Sequence, residues 1–124
     1  MENQSATSDQ STTVLGRIVG ARLTSVDFVL NYLILGFDEK GALTSLVWPE
    51  VSIGGGQVLR YGMQGYRDAL CNLITRVVSE ANISEDEIIQ ITLADDYVRI
   101  PLREKQGAGE RAIITGPKHF LHVW

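Results

Sequence analysis

The sequence predicts an α+β domain in which a curved, mostly antiparallel sheet of about six or seven strands packs against one long amphipathic helix. Three observations predict this fold. Short stretches rich in β-branched and aromatic residues alternate with turn residues, as in antiparallel hairpins. One stretch, 66–82, has its apolar residues at helical spacing instead. The length of 124 residues fits one domain. The predicted order is βββ-α-ββββ.

The first residues, MENQSATSDQSTT, are polar and include almost no large apolar side chain. Such a segment cannot bury enough apolar surface to offset the entropy of ordering. We therefore expect a disordered tail over 1–13 and a folded domain over 14–124. The tail lacks the basic and apolar regions of a signal peptide, and no apolar run in the chain is long enough to cross a membrane. With a single cysteine, Cys71, these features are typical of a cytoplasmic protein.

The chain before the helix is predicted to form strands. RIVGARL (17–23) alternates between apolar and other residues, which is the period of a strand. VDFVLN (26–31) and YLILGF (32–37) are rich in aromatic and branched residues. Asp38 to Gly41 then supplies a turn, and ALTSLVW (42–48) returns as the partner strand.

The YLILGF strand carries large apolar side chains on both faces. Leu33, Leu35 and Phe37 share one face, and Tyr32 and Ile34 share the other. A strand with one face in water would alternate with polar residues, so both faces are predicted to be covered. A single helix covers one face only. Either the sheet curls into a partial barrel or sandwich, or a second copy covers Tyr32 and Ile34, and the sequence favours the homodimer.

The predicted helix lies in GYRDALCNLITRVVSEAN (65–82). Its apolar residues are spaced alternately by three and by one, which draws a continuous stripe on a helix of 3.6 residues per turn. These residues are Tyr66, Ala69, Leu70, Leu73, Ile74, Val77, Val78 and Ala81. We expect this stripe to lie on the sheet, with Asn82 ending the helix.

Two further hairpins are predicted after the helix. In IIQITLADDYVRIPL (88–102), a loop at Asp95–Asp96 would place three apolar cross-strand pairs on one face. The predicted cross-strand pairs are Leu93 with Val98, Ile91 with Ile100, and Ile89 with Leu102. Pro101 indicates that its backbone position lacks a ladder partner, as on an edge strand, because proline cannot donate to the ladder. The last hairpin turns at 115–118, between RAII and HFLHVW.

The glycine-rich stretch SIGGGQVLRYGMQGYRDAL (52–70) raises the question of a phosphate site. It has no Lys-Ser or Lys-Thr at P-loop spacing, and Leu59 stands where the third glycine of a dinucleotide fingerprint belongs. The favoured interpretation is that the glycines let the chain cross from the sheet to the helix. The alternative is an anion or small-ligand site at the helix start, lined by Arg60, Tyr61, Gln64 and Arg67, with His122 as a further candidate for the wall of the pocket.

Several chemistries are disfavoured. His119 and His122 are three residues apart and would face opposite sides of one strand, so they cannot share a metal ion there. Acidic residues such as Asp38, Asp95 and Asp96 fall in turns, where carboxylates are ordinarily solvated. The net charge of −4 is opposite to that of most nucleic-acid-binding proteins. We expect no catalytic residue, no metal, no cofactor and no nucleic-acid partner.

Two tryptophans remain. For Trp48 and Trp124, packing in the core is favoured over contact with a partner, where tryptophan is also enriched. Together with Tyr32 and Ile34 they are the candidate interface residues. The sequence favours a small, non-enzymatic interaction protein of the adaptor or immunity type. The alternative is a small-ligand-binding or anion-binding domain, or an enzyme, that uses the concave side of the sheet and the segment from Arg60 to Arg67.

Overall fold

The computed structural model describes residues 14–84, 87–102 and 110–124, and the predicted disordered tail lies outside these ranges. The strands in chain order are β1 (Leu23–Val29), β2 (Tyr32–Phe37), β3 (Gly41–Ser45), β4 (Glu50–Ile53), β5 (Gln57–Leu59), β6 (Val78–Ile83), β7 (Ile88–Leu93), β8 (Asp96–Pro101), β9 (Ala112–Gly116) and β10 (Phe120–Val123). A 3-10 turn spans Gly16–Ile18, and the helix α1 spans Tyr66–Cys71.

These strands form two antiparallel sheets of five strands each, ordered β1-β2-β3-β9-β10 and β5-β4-β8-β7-β6. The predicted α+β fold, with one sheet against one long helix, is therefore wrong, and the described part of the chain is mostly β. The two sheets share one buried core. Leu33 and Leu43 of the first sheet, and Val51, Ile91 and Val98 of the second, are all fully buried in it.

The apolar residues of β2 divide as the strand period requires. Leu33, Leu35 and Phe37 are buried in the core. Tyr32 and Ile34 lie on the outer face of the first sheet and are half-buried. The core-facing set is thus covered by the second sheet, which corresponds to the sandwich alternative predicted from the sequence. Whether a second copy covers Tyr32 and Ile34 stays a prediction.

The two sheets meet at one corner, where the chain before β6 runs alongside the chain before β1. Arg22 and Val77 form an isolated antiparallel bridge. Next to it, the Leu23 amide donates to the Arg76 carbonyl at 2.9 Å, and the Thr75 amide donates to the Leu23 carbonyl at 2.7 Å. The predicted strand over 17–23 is therefore wrong in its first half, where the chain forms the 3-10 turn and leaves Val19 41% exposed.

The predicted helix over 66–82 is wrong beyond its first turns. The helix ends at Cys71, Thr75 has a φ of +88°, and Val78–Ile83 form β6. The corner pairing supplies the physical reason, since residues 75–78 exchange backbone hydrogen bonds with Gly20 to Leu23. None of the helices in the described ranges has the length and apolar character needed to cross a membrane.

A β-bulge explains why β6 imitates helical spacing. Val78 pairs with Leu93 and Glu80 pairs with Thr92, so Ser79 is an extra residue in the strand. Because the bulge inserts one residue into the alternation, Val78 and Ala81 both point into the core although they are three residues apart. Spacing by three is the feature that predicted a helix.

The predicted hairpins, unlike the long helix, are present in the structure. The turn after Phe37 joins β2 to β3, and the last turn joins β9 to β10. The β7–β8 hairpin also forms, but its register differs by two residues from the predicted one, with Ile91 opposite Val98 and Ile89 opposite Ile100. A shift of two residues keeps every side chain on its face.

Pro101 does not mark an edge strand, because β8 lies between β4 and β7. The pairing with β4 covers only 97–99, so the proline lies past the end of that ladder.

The three consecutive glycines form the turn of the β4–β5 hairpin. Ile53 pairs with Gln57, and Gly54 and Gly55 have φ values of +60° and +76°. The interpretation that the glycines of 52–70 let the chain cross from the sheet to the helix therefore does not apply to these three glycines, but it is confirmed for Gly62 and Gly65. That connection is made by 60–65, in which Gly62 and Gly65 have positive φ and Gly65 precedes the helix.

Candidate functional site

The structure separates the predicted ligand-binding residues. Arg60, Tyr61, Gln64 and Arg67 lie together between the end of β5 and the first turn of α1, and all four are exposed. His122 lies on β10, the opposite edge of the first sheet from β1. At the usual spacing of strands, β10 and β1 are about 19 Å apart. His122 is therefore not part of the same surface as the β1 side chains described next.

A stack of aromatic rings lies at the surface beside Arg67. The rings of Trp48 and Tyr61 are nearly parallel, at 15°, with their centroids 4.2 Å apart. Phe28 of β1 is also stacked against Trp48, with the ring centroids 6.5 Å apart and the planes 21° from parallel. Tyr66 meets Tyr61 edge-on at 5.9 Å. The stack thus joins side chains from β1, from the chain after β3 and from the segment before α1.

Arg67 completes this surface. Its guanidinium lies 5.1 Å from the centroid of the Phe28 ring and 5.9 Å from that of Tyr61. These distances are within the range of cation–π attraction. Met63, on the same loop, is 45% exposed, and Tyr61 is 47% exposed. We name Phe28, Trp48, Tyr61, Met63 and Arg67 the aromatic surface.

An open depression of about 460 Å³ lies next to the stack. Its lining includes Tyr61, Met63, Tyr66, Arg67 and Asp68. Two glycines, Gly62 and Gly65, form part of the same lining. A depression of this kind is wide and shallow, so it presents side chains to a molecule lying on it rather than enclosing a small ligand.

Arg60 is already engaged within the protein. Its Nε donates to Glu50 Oε2 at 3.0 Å, and its backbone amide is 3.2 Å from the sulfur of Met63. The side chains of this ion pair are 63% and 31% exposed. Together with a helix of only six residues, this geometry gives little support to the predicted anion site at the start of α1.

Tyr66 anchors the loop that carries the exposed rings. The residue is only 2% exposed, and its hydroxyl donates to the carbonyl of Pro49 at 2.5 Å. Burial raises the pKa of Tyr66 well above its usual range, against a smaller opposing effect of the Arg67 charge. The phenol therefore stays neutral and keeps its proton available for this hydrogen bond. Tyr66 in turn fixes the ring of Tyr61 that it meets edge-on.

The Tyr66→Phe variant tests this anchor. At neutral pH it should lower the free energy of unfolding by about 1 kcal/mol, because the hydrogen bond to Pro49 is lost. Above about pH 10 the unfolded tyrosine ionises while the buried one does not. The folded state then binds more protons than the unfolded state, so stability falls as pH rises.

We expect the wild-type protein to lose more stability than Tyr66→Phe between pH 9 and pH 11, as measured by urea denaturation. Tyr61→Phe is the control, since its ring is half exposed. Parallel pH profiles for the wild type and Tyr66→Phe would show that burial does not raise the pKa of this phenol.

The candidate interface residues occupy two places. Trp48 packs partly against the core, the role that the sequence favours, and it also stacks on Tyr61. Its contact with a partner stays a prediction. Tyr32 and Ile34 lie on the outer face of β2. Trp124 follows β10, packs partly against the core, and meets His122 edge-on at 4.6 Å. Its buried Nε1 has no hydrogen-bond partner among the described residues.

Sequence reasoning missed two residues of the aromatic surface, Phe28 and Met63. The sequence predicts Phe28 only as a strand residue, and nothing in it indicates that β1 runs beside the chain after β3. A signal was available for Met63, since large side chains in a glycine-rich loop, such as Tyr61 and Met63, have no strand or helix to bury them. No group of three or more potential metal ligands occurs within the described ranges.

Comparisons with protein-family models, with curated protein sequences and with solved structures gave no match.

Proposed function

We propose that the protein is a non-enzymatic protein-binding module whose contact surface is the aromatic surface. The observation that carries this proposal is the stacking of exposed Tyr61 on Trp48, with Arg67 beside them. Tryptophan, tyrosine and arginine are the residue types most enriched among the side chains that dominate binding energy at protein interfaces. The chain places one of each at one site, with Tyr61 in contact with both Trp48 and Arg67.

The geometry also lowers the conformational entropy cost of binding a partner. Ring contacts with Phe28 and Tyr61 hold Trp48 in one orientation, and the edge contact with buried Tyr66 fixes Tyr61. Side chains that are already ordered lose less conformational entropy on association. Met63 supplies the adaptable element, because its thioether side chain can adjust to an irregular partner.

The charges around the stack indicate what the partner presents. Arg67 lies over apolar rings and makes no ion pair in the described part of the chain, whereas Arg60 is paired with Glu50. A partner that places an apolar side chain on the Tyr61 ring and a carboxylate beside it would pair with Arg67. We therefore expect a protein segment that combines apolar and acidic residues, met in the cytoplasm.

Site-specific photo-crosslinking tests the surface directly. A photoreactive phenylalanine analogue at Met63 should give covalent adducts with a partner protein in cells. The matched control is the same analogue at Val77, which is also 45% exposed but lies at the corner between the sheets. Adducts at position 63 and not at 77 support the proposal, and identical adducts at both positions would contradict it.

Measuring the affinity for the captured partner tests the proposal quantitatively. Tyr61→Ala and Arg67→Ala should each raise its Kd by at least about tenfold, as expected for dominant interface residues. Gln64→Ala changes an exposed neighbour on the same loop and should leave the Kd within about twofold. In a Trp124→Phe background, Trp48 is the only tryptophan and its emission should change on binding. A Kd unaffected by Tyr61→Ala would refute the proposal.

A further inference from the structure

The strand β10 lies at an edge of the first sheet. It pairs with β9, and no other described strand pairs with it. Its outer-face side chains are unusually exposed for apolar residues, at 60% for Leu121 and 39% for Val123. On its inner face, Phe120, His122 and Trp124 are half-buried. The strand thus presents apolar or aromatic side chains on both faces at a sheet edge.

The hydrogen-bond alternation fixes which backbone groups are free. The Trp124 amide donates to the Ala112 carbonyl of the neighbouring chain segment at 2.9 Å. In an antiparallel pair every second residue directs its amide and carbonyl to the same neighbour. The amide and carbonyl of His122 therefore point toward β9, and those of Leu121 and Val123 point outward. At the start of the strand, the Phe120 amide donates to the Pro117 carbonyl of the turn at 3.3 Å.

Within β10, the side chains that keep edge strands apart are missing. Natural edges carry lysine, proline or inward-pointing charge, or they are very short. The strand Phe120–Val123 is short, at four residues, but it contains no lysine, proline or acidic residue. One of the two outer strands of the other sheet, β5, is three residues long and is followed directly by the charged Arg60. Of the four edge strands in the described sheets, β1, β5, β6 and β10, these two thus differ in the charge beside the strand.

We infer that β10 pairs antiparallel with β10 of a second copy, so that two five-stranded sheets join into one of ten strands. Centring the two-fold axis on His122 sets Leu121 opposite Val123 of the partner subunit, which is a hydrogen-bonded pair on the outward-pointing groups. The same register sets Phe120 opposite the partner's Trp124 and His122 opposite the partner's His122. Aromatic cross-strand pairs of this kind stabilise antiparallel sheets.

The second copy is the occupant that the strand itself favours. An isologous contact requires a surface that complements itself. The order Phe-Leu-His-Val-Trp does so, because reversal exchanges aromatic with aromatic and aliphatic with aliphatic about the central histidine. Two such strands bury less than the roughly 1,200 Å² of a stable interface. We therefore expect a reversible dimer with a Kd of about 10 to 100 µM.

Sedimentation velocity over a concentration series tests the association. The wild-type protein should shift from the 13.7 kDa chain mass toward twice that mass as the concentration rises through the Kd. Leu121→Lys should raise the Kd at least about tenfold, since it places a charge at the joined edge. Thr115→Lys is the matched control, because Thr115 is exposed on the same outer face but in the interior strand β9. A wild-type protein that stays monomeric at about 500 µM would overturn the inference.

Cysteine crosslinking tests the register. In a Cys71→Ser background, His122→Cys should form an intermolecular disulfide, since side chains directly opposite in a non-hydrogen-bonded pair have the Cβ separation that a disulfide needs. Leu121→Cys is the control, because its symmetry mate would lie on the diagonal at about 7 to 8 Å. Equal crosslinking at positions 121 and 122 would overturn the proposed pairing, and so would crosslinking at 121 alone.

Discussion

Replacing Arg76 by methionine is expected to lower the free energy of unfolding by about 3 kcal/mol. The Arg76 Nη1 lies 2.7 Å from Asp96 Oδ2, and the Asp96 side chain is only 10% exposed. Methionine keeps most of the apolar stem of the arginine, so the main loss is the charge. It leaves a buried carboxylate without its cation, which is among the most destabilising single changes.

The position of Asp96 in the fold explains why this pair matters. Its second oxygen, Oδ1, accepts the Gly54 amide at 2.6 Å. The carboxylate therefore links the glycine turn of β4–β5, the start of β8 and the segment before β6 that closes the corner between the sheets. The sequence predicts Asp96 as a solvated turn residue, which is wrong, because Asp96 is 7% exposed.

A double-mutant cycle separates the pair from its surroundings. Asp96→Asn keeps an oxygen that can accept the Gly54 amide, and it should cost less than Arg76→Met, because it leaves an arginine that is 37% exposed and can be hydrated. The double variant should be more stable than the sum of the two single changes predicts, by about 2 kcal/mol. Glu50→Gln breaks the exposed ion pair with Arg60 and should cost under about 1 kcal/mol. Strictly additive costs in urea denaturation would contradict the proposed coupling.

The hairpins could be predicted because they are encoded locally. The turn at Asp38 to Gly41 and the alternation in β7 and β8 lie within short stretches of sequence. The pairing of β3 with β9 joins residues about seventy positions apart. Nothing in one sequence specifies such a pairing, so the division of the strands into two sheets could not be predicted.

The prediction of a long helix was wrong for a specific reason. Between Tyr66 and Ala81 the apolar spacing fits a helix throughout, and the buried residues Leu70, Leu73 and Val78 follow it. Three devices satisfy that spacing without a long helix: a short α1, a turn through the left-handed Thr75, and the bulge at Ser79. Val77 is the exception, since it belongs to the predicted stripe but is 45% exposed. Periodicity thus indicates most of the buried residues, and it does not distinguish a helix from an irregular path that buries nearly the same set.

The candidate site could be predicted only in part, because local sequence identifies the loop but not its tertiary contacts. Tyr61 and Arg67 lie within one short stretch of sequence, and this stretch could be identified as a candidate site. Their contacts with Phe28 and Trp48 depend on how β1 and the chain after β3 meet the loop. These contacts are tertiary, and they change the interpretation of Arg67 from a free anion-binding group to a side chain lying over aromatic rings.

The glycine at the start of β3 is required by close packing. Gly41 has a φ of +120°, and a Cβ at this position would lie 1.9 Å from the Thr115 carbonyl oxygen and 2.7 Å from the Gly116 Cα. All these neighbours are backbone, so no side chain can rotate away. The backbone of β9 would have to move, and with it the β3–β9 pairing that holds the first sheet together.

Gly41→Ala should therefore lower the free energy of unfolding by about 4 kcal/mol, combining the strain of the left-handed backbone with the overlap. Gly55→Ala is the matched control, because Gly55 has a φ of +76° and an added Cβ there would meet no atom within 4 Å. It should cost about 1 kcal/mol, the conformational penalty alone. The difference between the two variants in urea denaturation measures the overlap. Equal costs would mean that β9 can shift freely at Thr115, and the tight β3–β9 contact would then contribute nothing to stability.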